Sequence, residues 1–271
     1  MKLILVTNDD GIGATGLKIL ANAMIGLTPE VKVLVVAPTS QRSAGGKSIT
    51  YSTPLRLSRE IDFFDNEISA YSVDGTPADC VIMGKYVSNK EFGKIPDLIV
   101  SGINSGGNTS VQSILASGTC AAAFEGGISG IPSIAFSLEV PENELFSKPS
   151  QSTSNYEVAA IRAKEIANKV LLKALPPKVL FLNCNFPSSV SLQTPIDFVQ
   201  LAPEKYIDEA IEQKDPRGVP IYWIWGDLIS NLHENTDVHS LSVKKMITLT
   251  PISLEFNPSH ILTLKKWFIE E

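Results

Sequence analysis

Residues 2–11 read Lys2-Leu3-Ile4-Leu5-Val6-Thr7-Asn8-Asp9-Asp10-Gly11. An apolar run long enough for one buried strand stops at two adjacent carboxylates. A glycine-rich turn follows at once, and then a helical pattern. Side chains at the carboxyl end of a strand in an open α/β sheet face the crevice where such folds bind ligands. Two adjacent acids in that position repel each other unless a cation lies between them, and oxygen ligands suit a hard divalent cation. The opening residues therefore point to an α/β fold with a metal site at a strand end.

Working outward, the first half alternates strands and helices. Thr15–Ile25 reads as a helix with Leu17, Leu20, Ala21 and Met24 on one face. Val31–Ala37 is almost continuously apolar, as expected of a strand buried on both faces, and Pro38 ends it. Short extended pieces follow at Ile49–Tyr51, Leu55–Leu57 and Ile68–Val73. Thr76–Val87 reads as a helix, because Thr76 caps it and Pro77 takes the first helical position. Asp97–Ser101 reads as a strand, and Gly102 to about Ser113 as a glycine- and serine-rich loop. Thr119–Ile128 reads as a buried helix and Ser133–Phe136 as a buried strand. Such alternation implies a mostly parallel sheet with right-handed crossovers.

The pattern changes after Leu138. Pro141–Ser154 is polar and reads as a mobile loop. Tyr156–Ala174 reads as a long helix with Ala159, Ala163, Ile166 and Val170 along one stripe, and Lys178–Leu182 as a strand. From Ile196 onward the strands, at Phe198–Leu201, Ile221–Trp225 and Ile247–Leu249, lose their helices. Projecting hairpins fit this part better than a second globular domain. The expected division is a core over residues 1–185 and an extension over 186–271. Tyr222, Trp223 and Trp225 imply one strongly apolar hairpin face.

The bulk composition excludes several function classes. The 271 residues are 44% hydrophobic and 19% charged, an ordinary globular balance. The net charge of -6 argues against a general binder of nucleic-acid duplexes. It leaves room for a small phosphorylated substrate, because one metal ion reverses the local potential. Cys80, Cys120 and Cys184 form no C-x-x-C pattern, so neither a disulfide framework nor a zinc knuckle is expected. No apolar run approaches the ~20 residues of a bilayer span, and the start lacks the features of a signal peptide. A cytoplasmic protein without a membrane partner is the expectation.

Four loops carry residues suited to chemistry. Asp9 and Asp10 are the candidate metal carboxylates. Gly11-Ile12-Gly13-Ala14-Thr15-Gly16 also matches G-x-G-x-x-G after a strand, the fingerprint of an NAD(P)-dependent oxidoreductase. That match sets a pyrophosphate against two acids. It also lacks a ribose-binding acid, since the second strand ends Ala37-Pro38-Thr39-Ser40. The loop after the second strand offers Arg42 for phosphate and hydroxyls that include Ser43. Asn104 and Asn108 bring neutral amides for a metal and for an oxyanion. Ser117-Gly118-Thr119 opens a helix whose free N–H groups suit a phosphate. His233, His239 and His260 all fall outside these loops, which argues against a Ser-His-Asp triad or a histidine zinc site. Three readings stay open from the residues: a metal-dependent phosphomonoesterase, an oxidoreductase, and a non-catalytic nucleotide-binding scaffold.

Motifs in one order along the chain carry a resemblance. They are Asn8-Asp9-Asp10-Gly11, Ala37-Pro38 with Gln41-Arg42-Ser43, Gly75-Thr76-Pro77-Ala78-Asp79-Cys80, Ser101-Gly102-Ile103-Asn104 with Asn108, and Ser117-Gly118-Thr119. Asp215-Pro216-Arg217-Gly218, Tyr222-Trp223, Thr236-Asp237 and Thr248-Leu249-Thr250-Pro251 continue the series. Together they resemble the stationary-phase survival protein SurE family over nearly the whole chain. The resemblance implies a Rossmann-like three-layer core with a projecting C-terminal hairpin that joins subunits into a homodimer or homotetramer. It implies hydrolysis of nucleoside 5′- and 3′-monophosphates, with exopolyphosphatase activity in some members. One Mg²⁺ or Mn²⁺ per subunit would be held by Asp9, Asp10, Ser43 and Asn104. Asn108, Ser117, Gly118 and Thr119 would hold the phosphate. Two positions depart from the pattern: Ala116 replaces a histidine or tyrosine found in some members, and Gly45-Gly46-Lys47 varies from the commoner loop.

Overall fold

The structure, a computed structural model, describes residues 1–61, 63–64, 67–140, 153–254 and 258–269. The expected loop at Pro141–Ser154 lies outside these as far as residue 152, and Ser154 is already helical. One sheet of nine strands runs through the molecule in the order β3-β4-β2-β1-β5-β6-β7-β11-β8. The strands are β1 (Lys2–Thr7), β2 (Val31–Pro38), β3 (Leu57–Glu60), β4 (Ile68–Val73), β5 (Leu98–Ser105), β6 (Ser133–Leu138), β7 (Phe181–Phe186), β8 (Ile196–Phe198) and β11 (Ile247–Ile252). The inner strands β4, β2, β1, β5, β6 and β7 are parallel. At the ends, β3 runs antiparallel to β4 and β11 antiparallel to β7, and β8 lies parallel to β11.

The alternation of side chains along β1 shows why helices cover both faces. Ile4 and Val6 pack with Leu17, Leu20 and Met24 of α1 (Thr15–Met24) and with Ala159, Ala163 and Ile166 of α5 (Thr153–Lys173). Leu3 and Leu5 point the other way, onto Cys80, Val81 and Val87 of α2 (Pro77–Phe92) and Ala122 of α4 (Gly118–Ile128). A strand that is apolar on both faces has no solvent side to offer. That is why β1 and β2 read as unbroken apolar runs.

The strand order sets the site. Chain progression from β1 goes to β2 on one side, while β5 pairs with β1 on the other. The loops that leave β1 and β5 therefore diverge to opposite faces, and a crevice opens between them at the switch point.

Several elements differ from the sequence expectation. β5 runs on to Ser105, so Gly102, Ile103 and Asn104 are strand residues. The stretch read as a loop up to Ser113 contains the start of a short helix, α3 (Ser110–Ala116). Its polar Ser-Val-Gln-Ser start gives no apolar stripe to recognise. Past residue 196, α6 (Asp237–Ser242) and α7 (Pro258–Ile269) add helices where only strands were expected. β9 (Tyr206–Lys214) and β10 (Pro220–Leu228) form a separate antiparallel hairpin, as the aromatic cluster suggested. Strand alternation places Trp223 and Trp225 on one face of it, and Tyr222 and Ile224 on the other. All four are exposed, so the apolar residues are divided between the two faces rather than gathered on one. α7 likewise exposes Ile261, Leu264, Trp267 and Phe268. No helix among the described residues is long and apolar enough to cross a membrane.

Candidate active site

The chain turns sharply as it leaves β1. Asn8 donates from Nδ2 to the carbonyl of Gly11 (3.0 Å) and accepts at Oδ1 from the Gly11 N–H (3.2 Å). Gly11 has φ +98, a backbone that side-chain-bearing residues rarely adopt. This closed loop aims Asp9 and Asp10 into the crevice. The third glycine of the G-x-G-x-x-G string does something else. A Cβ on Gly16 would lie 2.1 Å from the carbonyl oxygen of Ile103, so this glycine seats α1 against β5. With two acids at the strand end and Pro38 ending β2, the string makes a turn and a helix contact.

Asp9 is buried and is approached from α4. Its Oδ1 accepts a hydrogen bond from the Thr119 hydroxyl. Burial pushes its carboxyl above the usual range, against hydrogen bonds from Thr119, from its own N–H and from Gly118. Asp10 is pushed up to about 7, first by burial and then by the charge of Asp9, against a bond from the Ser105 N–H. That bond measures 3.3 Å to Oδ2. The charge of buried Asp9 thus opposes ionisation of half-buried Asp10 beside it.

The loop after β2 folds across this pair. The Arg42 N–H donates to the carbonyl of Asp9 (2.7 Å) and the Ile12 N–H to that of Pro38 (2.8 Å). Gln41 reaches from Nε2 to Ser43 Oγ at 2.9 Å and toward Asp10 Oδ1 at 3.5 Å. From β5, Asn104 commits Nδ2 to the carbonyl of Gly106 (2.7 Å), which leaves its Oδ1 free to meet a cation. Asn108 is fixed from several sides. Its N–H donates to Asn185 Oδ1 (2.7 Å), its Nδ2 donates to Ser137 Oγ (2.8 Å), and its carbonyl accepts from Asn183 Nδ2 (2.7 Å). Ser117 caps α4 by accepting from the Cys120 N–H (3.1 Å).

Asp9, Asp10, Ser43, Asn104, Asn108 and Ser117 line one cavity of about 580 Å³. Gly118 and Thr119 stand behind Asp9 and hold it, and neither lines the cavity. Ala116 lines it too, and its carbonyl accepts from the Gly46 N–H (2.9 Å). Sequence reasoning missed several lining residues: Glu139, Lys205, Tyr206 and Lys245. Glu139 follows β6 and is reachable as a strand-end residue. Lys205, Tyr206 and Lys245 belong to the last third of the chain, where no local pattern ties them to the crevice.

The donor set fits a hard divalent cation. Asp9 and Asp10 offer carboxylate oxygens, Ser43 a hydroxyl and Asn104 an amide oxygen. No group of three or more His, Cys, Asp or Glu side chains gathers among the described residues. All-oxygen sets of this kind suit Mg²⁺ or Mn²⁺ rather than zinc.

Fold and site together define a doubly wound α/β protein with paired carboxylates at the switch point of its sheet. Comparison with known proteins narrows this class. The family model described as Survival protein SurE matches residues 4–208. The Methanocaldococcus jannaschii protein named 5′-nucleotidase SurE is 40% identical over 252 residues, covering 93% of this chain and 92% of that one. A Methanosarcina barkeri protein of the same name is 40% identical over 254 residues, with 93% and 92% covered. The crystal structure of the SurE protein from Aquifex aeolicus matches with a TM-score of 0.78 at 33% identity, covering 98% of this chain and 99% of that one. The chain belongs to the SurE family.

Proposed function

We propose that this chain is a metal-dependent phosphomonoesterase that hydrolyses nucleoside 5′- and 3′-monophosphates to nucleoside and phosphate. The observation that carries the reading is the adjacent Asp9–Asp10 pair, which lines one cavity with Ser43 and Asn104 at the switch point. The relatives named 5′-nucleotidase supply the substrate class. Asp9, Asp10, Ser43 and Asn104 would hold one Mg²⁺ or Mn²⁺. When bound, such an ion polarises the phosphoryl group and makes water a better nucleophile near neutral pH.

The chain's own residues do the rest. Ser117, which lines the cavity at the start of α4, offers its hydroxyl proton to a phosphate oxygen. Asn108 Nδ2 is already anchored on Ser137, so its second N–H is held in place to meet charge that builds on the phosphoryl oxygens. One of the two aspartates orients the attacking water. Thr119 locks Asp9 and Gln41 steadies Ser43, so the donors need little rearrangement before reaction.

Phosphate release from AMP across a panel of divalent metals tests this. Excess chelator abolishes release. Asp9→Asn folds, loses metal-dependent turnover, and no longer gains melting temperature on adding Mn²⁺. Full activity in that variant or in chelator overturns the reading, as does nucleotide binding without turnover across all common divalent metals.

The exposed apolar residues of the β9–β10 hairpin and of α7 support a homodimer or homotetramer built through the C-terminal extension. Sedimentation of the full chain as a monomer at micromolar concentration overturns that assembly.

A further inference from the structure

Lys205 lines the cavity and has no task in the reaction described above. It is only 7% exposed. Its backbone is fixed between two elements. Its N–H donates to Oε1 of Gln112 in α3 (3.3 Å), and its carbonyl accepts from the Ile229 N–H just past β10 (3.1 Å). The ammonium sits over the ring of Tyr206, 5.1 Å from its centroid. Among the described residues no carboxylate lies within ion-pair distance of it. Asp237 feels its charge but spends its oxygens on the N–H groups of Ser110, Ala202 and Val238. Lys245, the other lysine of the cavity, faces Glu139 at 3.8 Å.

An ammonium that reaches a cavity with no carboxylate beside it leaves a positive charge there for an anionic ligand to match. The charge balance of the cavity identifies that ligand. A divalent cation is neutralised by the two carboxylates that hold it. An incoming phosphomonoester dianion then needs positive charge from elsewhere, and among the described residues Lys205 is the unpaired cation that lines the same cavity. The Tyr206 ring orients a lysine without competing for its N–H groups. All three N–H donors are left for an anion.

We propose that Lys205 pairs with the phosphate of the substrate in this cavity; this rests on the phosphomonoesterase reading above. The test is calorimetric titration of inorganic phosphate into the full chain with Mg²⁺ in excess, alongside AMP kinetics. Lys205→Met is expected to weaken phosphate binding and to raise KM for AMP by about ten- to a hundredfold, with a smaller change in kcat. Lys205→Arg recovers most of the binding. Should the Met variant fail to fold, Lys205→Gln gives the same readout. A folded, uncharged variant that binds phosphate within about twofold of the original chain overturns the proposal. A lower melting temperature with unchanged phosphate affinity also overturns it, and assigns Lys205 to neutralising Asp237. Those outcomes leave AMP turnover by the unsubstituted chain intact. An unsubstituted chain that neither binds phosphate nor hydrolyses AMP with any divalent metal overturns the phosphomonoesterase reading itself.

Discussion

Gly118 stands so close to Asp9 that a Cβ on it would lie 2.7 Å from the Asp9 Cβ and 2.9 Å from Oδ2. The start of α4 and the carboxylate proposed to hold the metal are thus packed directly on each other. Gly118→Ala forces Asp9 or the start of α4 to shift, since Pro77 closes the other side at 3.1 Å. A displacement approaching an ångström at a reacting centre costs about a hundredfold in rate. Overpacking of this kind costs about 1–3 kcal/mol of stability. The expected outcome is a folded protein with a modestly lower melting temperature and a kcat/KM for AMP reduced about a hundredfold. Kinetics near the original level show that the contact is slack.

The legibility of this site in the sequence follows from which residues are local to strand ends. β1 and β2 are apolar on both faces, and that alone marks them as central strands. Once β1 is central, Asp9 and Asp10 must lie at the crevice. Asn104, Asn108 and Ser117 follow from the same logic of strand ends and helix starts. The sequence reads Thr119 as a phosphate ligand at a helix start, whereas its bond to Asp9 is a tertiary fact that no local pattern carries. α3 was lost because seven residues with a polar start carry no helical stripe. Lys205 was invisible for a different reason. Its place depends on Gln112 capturing the start of the β9–β10 hairpin, a contact across 93 residues.

Asp79 gives the fold a measurable acid limit. It closes a capping box with Thr76 at the start of α2. It also accepts from the Thr50 N–H (3.0 Å) and the Thr50 hydroxyl (2.7 Å), which ties down the far end of the loop that carries Ser43. Burial raises its carboxyl, but the bonds from Thr50 and Thr76 outweigh burial and leave it below its ordinary value of 3.8. A carboxylate whose folded-state pKa is depressed contributes stability above its unfolded value. That contribution is lost as pH falls through the folded one. Asp79→Asn is therefore expected to cost about 1 kcal/mol near neutral pH and to cost progressively less below pH 4. Melting curves from pH 7 to pH 3 check this, and a gap between variant and original that does not shrink in acid contradicts it.

Asp237 couples the end of the chain to the loop that carries Asn108. It is fully buried and accepts from the N–H groups of Ser110 (2.8 Å), Ala202 (2.9 Å) and Val238 (2.9 Å). Ser110 has φ 76, a left-handed backbone for a side-chain-bearing residue, so it needs an external hold. Asp237→Ala removes that hold and leaves three buried donors unmatched, each costing about 1–3 kcal/mol when no water replaces the acceptor. Asp237→Asn keeps one acceptor oxygen and turns the other into a donor that faces an N–H. The Ala variant is expected to lose about 3–5 kcal/mol of stability by chemical denaturation, and the Asn variant less. Because Ser110 lies two residues beyond Asn108, the Asn variant is also expected to show a lower kcat for AMP under conditions where it remains folded. An Asn variant that matches the original chain in both stability and kcat separates Asp237 from the site.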